Sequence, residues 1–188
     1  NIMNEERMNF ITAEKKKIPK NKVKSFFNLI DRRTRSEPIA YIIKQKSFWK
    51  RDFIVDKNTL IPRPETELMV EKIKNHFKKS SLFILDVGTG SGCILISLLE
   101  ELPRAKGIGI DISKKALNIA NKNAKFSTAK SRIKFINKTI NSHFLTKFDL
   151  VVSNPPYICS HQIKNLPLDI KNFEPKIALD GGNDGLDV

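Results

Sequence analysis

The tetrapeptide Asn-Pro-Pro-Tyr at residues 154–157 is the clearest chemical signal in this sequence. The Asn154 side-chain carbonyl and a backbone carbonyl can each accept one N–H of a planar amide or exocyclic amine. Two prolines, Pro155 and Pro156, stiffen the backbone, and the ring of Tyr157 can pack flat against a planar acceptor. The tetrapeptide therefore predicts a substrate-binding clamp for a planar nitrogen, with Asn154, Pro155 and Tyr157 as its catalytic residues.

A glycine-rich loop at residues 86–92 precedes a helix-like run. Glycines let backbone approach a ligand closely, and the N-terminus of a helix attracts a carboxylate or phosphate. A dinucleotide fingerprint needs glycine at its first, third and sixth positions, but Cys93 stands at the sixth. The acidic residue two positions before the first glycine, Asp86, suits an amino group such as that of S-adenosylmethionine.

Asp111 ends the next strand-like run, where a carboxylate can accept both hydroxyls of a ribose. Together the loop and Asp111 predict S-adenosylmethionine as methyl donor. Methyl transfer from a sulfonium is an in-line displacement, so positioning the nitrogen supplies most of the acceleration. Histidines, cysteines and acidic residues show no metal-ligand spacing, and we expect no metal. The expected cofactor contacts in these motifs are Asp86, Gly88, Thr89, Gly90, Ser91, Gly92 and Asp111.

Apolar runs and breakers from residue 82 onward alternate between strand and helix patterns. This order predicts an α/β fold with a doubly wound, mostly parallel, Rossmann-like sheet. Right-handed crossovers place the loops after the strands along one rim, which would bring the three motifs together. The predicted strands are 82–87, 107–112, 132–136 and 148–153, and the predicted helices are 93–102 and 114–126.

Three regions are expected along the chain. Residues 1–36 read as a helical remnant whose amphipathic helix carries Val23, Phe26, Phe27 and Ile30 on one face. Residues 37–61 are predicted as a β-hairpin formed by the apolar triplets Tyr41-Ile42-Ile43 and Phe53-Ile54-Val55. Residues 62–188 form the main domain, which opens with a proline-delayed helix running to about Lys79.

The chain is strongly basic, with 34 Lys and Arg against 20 Asp and Glu and a net charge of +14. Such a charge attracts nucleic acid at long range, and compositional drift explains it equally well. No apolar run reaches the roughly 20 residues of a membrane helix. Two cysteines fit a reduced, cytoplasmic setting. A monomer is expected, with no membrane contact and no required nucleic acid.

The tetrapeptide together with the glycine loop resembles the amino-directed methyltransferases that modify glutamine, adenine or guanine nitrogens. Flanking residues narrow this likeness. The segments 37–42, 48–55 and 60–67, followed by Glu174-Pro175 and residues 178–186, are similar to the protein-(glutamine-N(5)) methyltransferase family of the HemK/PrmC type. Members methylate the glutamine of the Gly-Gly-Gln motif in peptide chain release factors.

The resemblance implies a Rossmann-like S-adenosylmethionine-dependent domain, preceded by a hairpin and the remnant of a docking domain, in a chain shortened at both ends. It also implies that Asn154 contacts the cofactor as well as the substrate. Arg63, Pro64 and Thr66 would line the cofactor pocket. Shortening would leave the edge of the fourth strand exposed. Many members pack an aromatic residue against the adenine. Residues 137–140 offer none, so Ile140 or Phe144 would substitute.

Two other functions stay open at this stage. The same tetrapeptide serves methyltransferases that act on exocyclic amines of RNA or DNA, and the basic charge slightly favours them. A non-catalytic module that binds an adenosyl ligand or the ribosome is the second alternative. The intact Asn154 and the intact glycine loop argue against it.

Overall fold

A computed structural model of the chain describes residues 19–78, 80–140 and 147–187. In chain order its helices and strands are α1 Lys20–Thr34, α2 Ile39–Ile43, β1 Gln45–Phe48, β2 Arg51–Ile54, α3 Pro64–His76, β3 Phe83–Val87, α4 Cys93–Glu101, β4 Lys106–Asp111, α5 Lys114–Lys125, β5 Ile133–Asn137, β6 Leu150–Ser153 and α6 Leu168–Phe173. Short 3-10 turns occupy Lys130–Arg132, Ser160–Asn165 and Lys176–Ala178.

Four parallel strands form the central sheet, in the order β5-β4-β3-β6. The predicted α/β class with a parallel Rossmann-like sheet is confirmed, and each predicted strand is found within two residues of its expected start. β6 pairs only with β3 among the described strands, and Val151 on it is more than half exposed. Within the described residues β6 is therefore an edge strand of the sheet.

Helix α4 lies at the centre of the main hydrophobic core. Seven of its nine residues are buried, so it is apolar around its whole circumference rather than on one stripe. Gly107 allows the close approach to the sheet, because a Cβ there would lie 2.5 Å from Leu95 Cδ1. Arg132 closes the far end of the helix by donating to the carbonyls of Leu99 and Leu102. Helix ends leave such carbonyls without a partner in the helix, so Arg132 satisfies backbone acceptors at the C-terminal end of α4.

The hairpin predicted within residues 37–61 is present, but its first strand was placed wrongly. Residues Tyr41-Ile42-Ile43 belong to α2, and the antiparallel pair is β1 with β2. Pro38 sets the start of the helix, and Lys44 ends it in a left-handed conformation. Tyr41 is buried against Val55, and its hydroxyl donates to the Thr59 carbonyl at 2.6 Å. Tertiary packing thus overrides the β-propensity of this triplet.

The predicted amphipathic helix near the start is confirmed as α1, and residues 1–18 lie outside the described part. Its four apolar side chains, Val23, Phe26, Phe27 and Ile30, are each at least one-third exposed. The helix predicted after the two prolines is also confirmed, because Pro64 stands in the first turn of α3. That helix ends at His76, three residues before its predicted limit. The boundaries of the three predicted regions stay predictions.

Candidate active site

The carboxyl ends of β3, β4 and β6 meet at one rim of the sheet. Val87, the last residue of β3, pairs with Ile110 on one side and Ser153 on the other. Asp111 is the last residue of β4, and Gly88 and Asn154 directly follow β3 and β6. These three residues therefore lie at the same rim, on neighbouring strands. The three motifs that the sequence singled out are brought together as predicted.

The glycine loop has three residues in the left-handed region of backbone space, with φ of 69° at Gly88, 56° at Gly90 and 80° at Gly92. The loop is tied to the neighbouring strand, because the Gly90 N–H donates to Asp111 Oδ2 at 2.9 Å. The other carboxylate oxygen of Asp111 accepts the Ser113 N–H at 2.8 Å. Asp111 therefore sits against the loop with its position fixed from both sides.

The outer glycines of this loop do different things. A Cβ on Gly88 would meet nothing within 4 Å, so the space above that residue is open. A Cβ on Gly92 would lie 3.0 Å from Ile96 Cδ1 and 3.1 Å from Phe135 Cζ. The absence of a side chain at Gly88 thus leaves space beside the loop, while the absence of one at Gly92 lets helix α4 pack closely on the sheet.

Asp86 lies beneath the loop and is fully buried. Its Oδ2 accepts the Thr89 hydroxyl at 2.6 Å, whereas Oδ1 has no hydrogen bond within the described residues. Burial raises the pKa of Asp86 to about 7, although the Thr89 hydroxyl opposes that rise. An acidic oxygen left without a partner inside the fold is a suitable acceptor for a cationic amino group.

Asn154 is half-buried at the end of β6. Across residues 19–78, 80–140 and 147–187, neither its side-chain amide nor the Pro155 carbonyl takes part in a hydrogen bond. Both residues line an open cleft of about 130 Å³ together with Tyr157, whose side chain is 68% exposed. Pro156 lies between them at the same rim. The clamp therefore has free acceptors and an accessible ring.

Residues 179–185 pack against the backbone of the clamp and of Ile158, which follows it. Ile158 N–H donates to the Leu179 carbonyl at 3.0 Å, and Gly181 N–H donates back to the Ile158 carbonyl at 2.9 Å. A Cβ at Gly181 would lie 2.7 Å from the Pro156 carbonyl oxygen, and one at Gly185 would lie 2.5 Å from that of Tyr157. The Gly-Gly-Asn-Asp-Gly stretch at 181–185 is therefore glycine-rich because it packs directly on the clamp backbone.

Arg63 lines the same cleft, but its guanidinium is held by a buried acid. Its Nη2 donates to Glu174 Oε1 at 2.6 Å, and the Glu174 side chain is only 1% exposed. Burial raises the pKa of Glu174, and the nearby Arg63 charge partly offsets that rise. Pro64 is exposed at the start of α3, and Thr66, two residues further on, is half-buried. Of these three expected cofactor contacts, only Arg63 faces the cleft of the clamp.

The residue expected to pack against adenine is not identified. Ile140 lies after β5 with half of its side chain exposed, and Phe144 falls outside the described residues. Cys93 and Cys159 are free thiols.

No group of acidic, histidine and cysteine residues suited to a metal ion occurs in the described part. Within that part, no helix is long and apolar enough to cross a membrane.

Asn123 is a supporting residue that the sequence analysis did not find. It is buried on α5, and its side-chain nitrogen donates to the carbonyls of Ile54 and Ser91 at 3.0 and 2.9 Å. Its side-chain oxygen accepts the Ile54 N–H at 2.8 Å. One amide thus joins the hairpin, α5 and the glycine loop. A polar residue among the alanines of the buried face was the available signal.

We expect Asn123→Ala to lower the free energy of unfolding by about 2–3 kcal/mol, because it leaves buried backbone groups of Ile54 and Ser91 unpaired. Chemical denaturation followed by circular dichroism measures this change. Asn121→Ala on the exposed side of α5 is the matched control, and its cost should stay within about 0.5 kcal/mol. Equal costs for the two variants would show that Asn123 does not join these elements.

The parallel sheet, the loop after its first strand and the rim clamp define the α/β methyltransferase class. The chain belongs to the methyltransferase small domain family, whose model matches residues 64–169. The model of the PrmC N-terminal domain matches residues 1–43. The resemblance to the release factor glutamine methyltransferases is thereby confirmed, and the matches include residues before the hairpin.

Curated relatives support the same family. A release factor glutamine methyltransferase of Caulobacter vibrioides is 40% identical over 96% of this chain and 63% of its own length. One from Buchnera aphidicola subsp. Baizongia pistaciae is 43% identical over 84% of this chain and 57% of its own length. A bifunctional methyltransferase of Rickettsia conorii is 39% identical over 88% of this chain and 36% of its own length. The chain therefore spans about three-fifths or less of these relatives.

Solved structures share the fold at low sequence identity. The hMettl16 catalytic domain, in complex with MAT2A 3'UTR hairpin 6, aligns with a TM-score of 0.55 at 18% identity, covering 72% of this chain and 52% of that one. A SAM-dependent methyltransferase from Agrobacterium tumefaciens aligns with a TM-score of 0.50 at 18% identity. The alignment covers 60% of this chain and 39% of that one. These likenesses establish the fold of the sheet.

Proposed function

We propose that this chain transfers the methyl group of S-adenosylmethionine to the side-chain amide nitrogen of a glutamine in peptide chain release factors, within the Gly-Gly-Gln motif. The observation that carries the proposal is the clamp at residues 154–157. Its Asn154 amide and Pro155 carbonyl have no hydrogen-bond partner among the described residues, and both residues line an open cleft that follows β6. The names of the relatives supply the substrate class.

The rim fits the proposed cofactor at three points. Asp86 presents a buried oxygen without a hydrogen bond, suited to the cationic amino group. Open space above Gly88 admits close approach of a ligand to the backbone. Asp111 stands at the end of the neighbouring strand, where a carboxylate can accept ribose hydroxyls. When bound, S-adenosylmethionine supplies an electrophilic methyl group on a sulfonium, and no metal is needed.

The clamp residues act by orienting the acceptor. The side-chain oxygen of Asn154 accepts one N–H of the glutamine amide, and the Pro155 carbonyl accepts the other. Held in this way, the nitrogen would present its lone pair to the methyl group of a bound S-adenosylmethionine, which would leave as S-adenosylhomocysteine. The same two oxygens stabilise positive charge on the nitrogen until one proton leaves. The ring of Tyr157 packs on the amide plane, and Pro156 keeps the backbone rigid.

Protonation of Asp86 should make the stability of the ligand-free chain depend on pH. Its pKa is about 7 in the fold and about 4 in an unfolded chain. Because the folded pKa is the higher one, the stabilising contribution is complete below about pH 4 and is lost as pH rises through about 7. We expect unfolding free energies to fall over this window and Asp86→Asn to remove the fall.

Chemical denaturation at a series of pH values measures this effect. Asp149→Asn, at an exposed carboxylate of the opposite sheet end, is the control and should leave the slope in place. Added S-adenosylhomocysteine should reduce the slope, because an ammonium beside Asp86 favours the carboxylate. An identical slope in the Asp86→Asn variant would contradict the buried, partly protonated state.

The clamp chemistry alone also suits an exocyclic amine of a nucleobase, and the net charge of +14 suits a nucleic acid. The matches at residues 1–43 and along the curated relatives favour the protein substrate. Action in the cytoplasm on release factors and a monomeric state belong to the same proposal. The non-catalytic alternative is disfavoured because every clamp and loop residue is present.

Incubation with tritiated S-adenosylmethionine tests the proposal. The purified chain is offered a release factor in one reaction and total RNA in another. We expect label on the release factor, with label lost in Asn154→Ala. Label in RNA alone would replace the proposed function by the nucleobase alternative, and label in neither would favour the non-catalytic one.

A further inference from the structure

The segment between Asp111 and Asp149 contains no acidic residue. These 37 residues, 112–148, include nine Lys and Arg, whereas the remaining chain mixes both signs. Where the structure describes it, the segment forms α5, the turn after it and the edge strand β5. The charge is therefore concentrated along one edge of the sheet, and uniform drift in composition does not explain it.

Helix α5 presents a uniform polar face. Its buried side consists of apolar residues and Asn123, which fixes the rotation of the helix on the sheet. The helical period of 3.6 residues then places every exposed position within about a third of the circumference. The exposed residues on that face are Lys114, Lys115, Asn118, Asn121, Lys122 and Lys125.

The four ammonium groups of this face make no ion pair or hydrogen bond within residues 19–78, 80–140 and 147–187. Solvated helices commonly pair a lysine with an acid one turn away, but α5 itself contains no acid. The acid that precedes the helix, Asp111, accepts the N–H groups of Gly90 and Ser113 instead. Like charges on one face repel each other, which disfavours the arrangement in isolation. A polyanionic partner would remove that repulsion.

An aromatic residue stands at the end of the same face. Phe126 follows Lys125 directly, and its side chain is 77% exposed. Exposed aromatic rings beside lysines suit nucleic acids, because bases stack on the ring while ammonium groups contact phosphates. A membrane surface would require an apolar face directed outward, and the apolar face of α5 is buried in the core.

We propose that the exposed face of α5, with Phe126, docks this protein on the phosphate backbone of a structured RNA. We call this set, Lys114, Lys115, Lys122, Lys125 and Phe126, the α5 basic face. It lies at the β5 edge, whereas the clamp follows β6 at the other edge, with two strands between them. That separation is about 14 Å across the sheet. The RNA is thus a docking partner distinct from the methyl acceptor.

The test compares two variants of equal charge. The first changes Lys114, Lys115, Lys122 and Lys125 to glutamine. The matched control changes four exposed lysines elsewhere, namely Lys24, Lys57, Lys72 and Lys164. Glutamine has a helix propensity close to that of lysine, so both variants should fold, and circular dichroism checks this. Fluorescence anisotropy then measures binding of each to a labelled RNA hairpin between about 50 and 200 mM salt.

We expect the α5 variant to lose at least about tenfold in RNA affinity, and its slope of log affinity against log salt should flatten by about 3. The charge-matched control should keep most of the affinity and the slope. Phe126→Ala should weaken binding without changing the slope, because stacking releases no counterions. Methylation of an isolated release factor should be unchanged in the α5 variant, so this inference can fail while the proposed function stands.

Three outcomes would overturn the docking proposal. Equal losses in the two lysine variants would show a diffuse charge effect. Loss of release factor methylation in the α5 variant with RNA binding intact would assign the face to a protein. Binding to vesicles that contain anionic lipid, lost in the α5 variant while RNA binding persists, would assign it to a membrane surface.

Discussion

Replacing Asn154 by alanine should lower kcat/KM for methyl transfer by about 10²–10³-fold, the usual cost of removing one positioned hydrogen-bonding group from a transition state. The side-chain oxygen of Asn154 is one of the two acceptors that orient the amide nitrogen. Its removal leaves the Pro155 carbonyl to hold one N–H only. Initial rates with a release factor and tritiated S-adenosylmethionine measure the loss.

The fold should be unaffected by that change. Asn154 makes no hydrogen bond across the described ranges and is only half-buried, so Asn154→Ala should shift the unfolding free energy by less than about 0.5 kcal/mol. Ser153→Ala, one residue earlier and bonded to the Val87 carbonyl, is a suitable comparison because it alters the strand end without touching the clamp. A rate loss in Ser153→Ala as large as in Asn154→Ala would show that strand geometry, and not the amide, sets the rate.

Alanine at Gly92 should be one of the most destabilising single changes in the glycine loop. Its φ of 80° disfavours a side chain, and the new Cβ would press on Ile96, Phe135 and Ala120 at 3.0–3.3 Å. Left-handed strain and overpacking together should lower the free energy of unfolding by about 2–5 kcal/mol. Thermal and chemical denaturation of the ligand-free chain measure the effect.

Gly88→Ala is the informative partner of that substitution. Its φ of 69° carries similar backbone strain, but the added Cβ meets nothing within 4 Å. We expect a stability loss of about 1 kcal/mol, with a clear loss of affinity for S-adenosylmethionine, because the methyl group occupies space open to a ligand. Calorimetric titration measures the affinity. A larger stability loss for Gly88→Ala than for Gly92→Ala would contradict the division of roles between the two glycines.

The sheet and its rim were predictable because they depend on local patterns. Apolar runs, glycines and prolines mark where each strand ends, and parallel connections then force Gly88, Asp111 and Asn154 onto one rim. The hairpin was only half predictable. Tyr41 has a high β-propensity, yet its helical position is decided by contacts with Val55 and Thr59, which lie more than ten residues away.

The supporting contacts were not predictable for the same reason. Glu174 lies 111 residues from Arg63, and Asn123 lies 69 residues from Ile54. At such separations no local sequence pattern predicts that the two residues of either pair are in contact. The contact of residues 181–185 with the clamp likewise depends on the path of the chain after β6. A site residue can be predicted from sequence when it is a chemically functional residue type at the end of a predicted strand. A residue that holds such a site in place is visible only once distant elements are packed.

Peptide mapping by mass spectrometry of a release factor treated with this chain and S-adenosylmethionine tests the central claim most directly. We expect one added methyl group, located on the glutamine of the Gly-Gly-Gln motif and absent after treatment with the Asn154→Ala variant. A methyl group on any other residue would contradict it. So would an unmodified release factor alongside methylated RNA, or modification that persists in the Asn154→Ala variant.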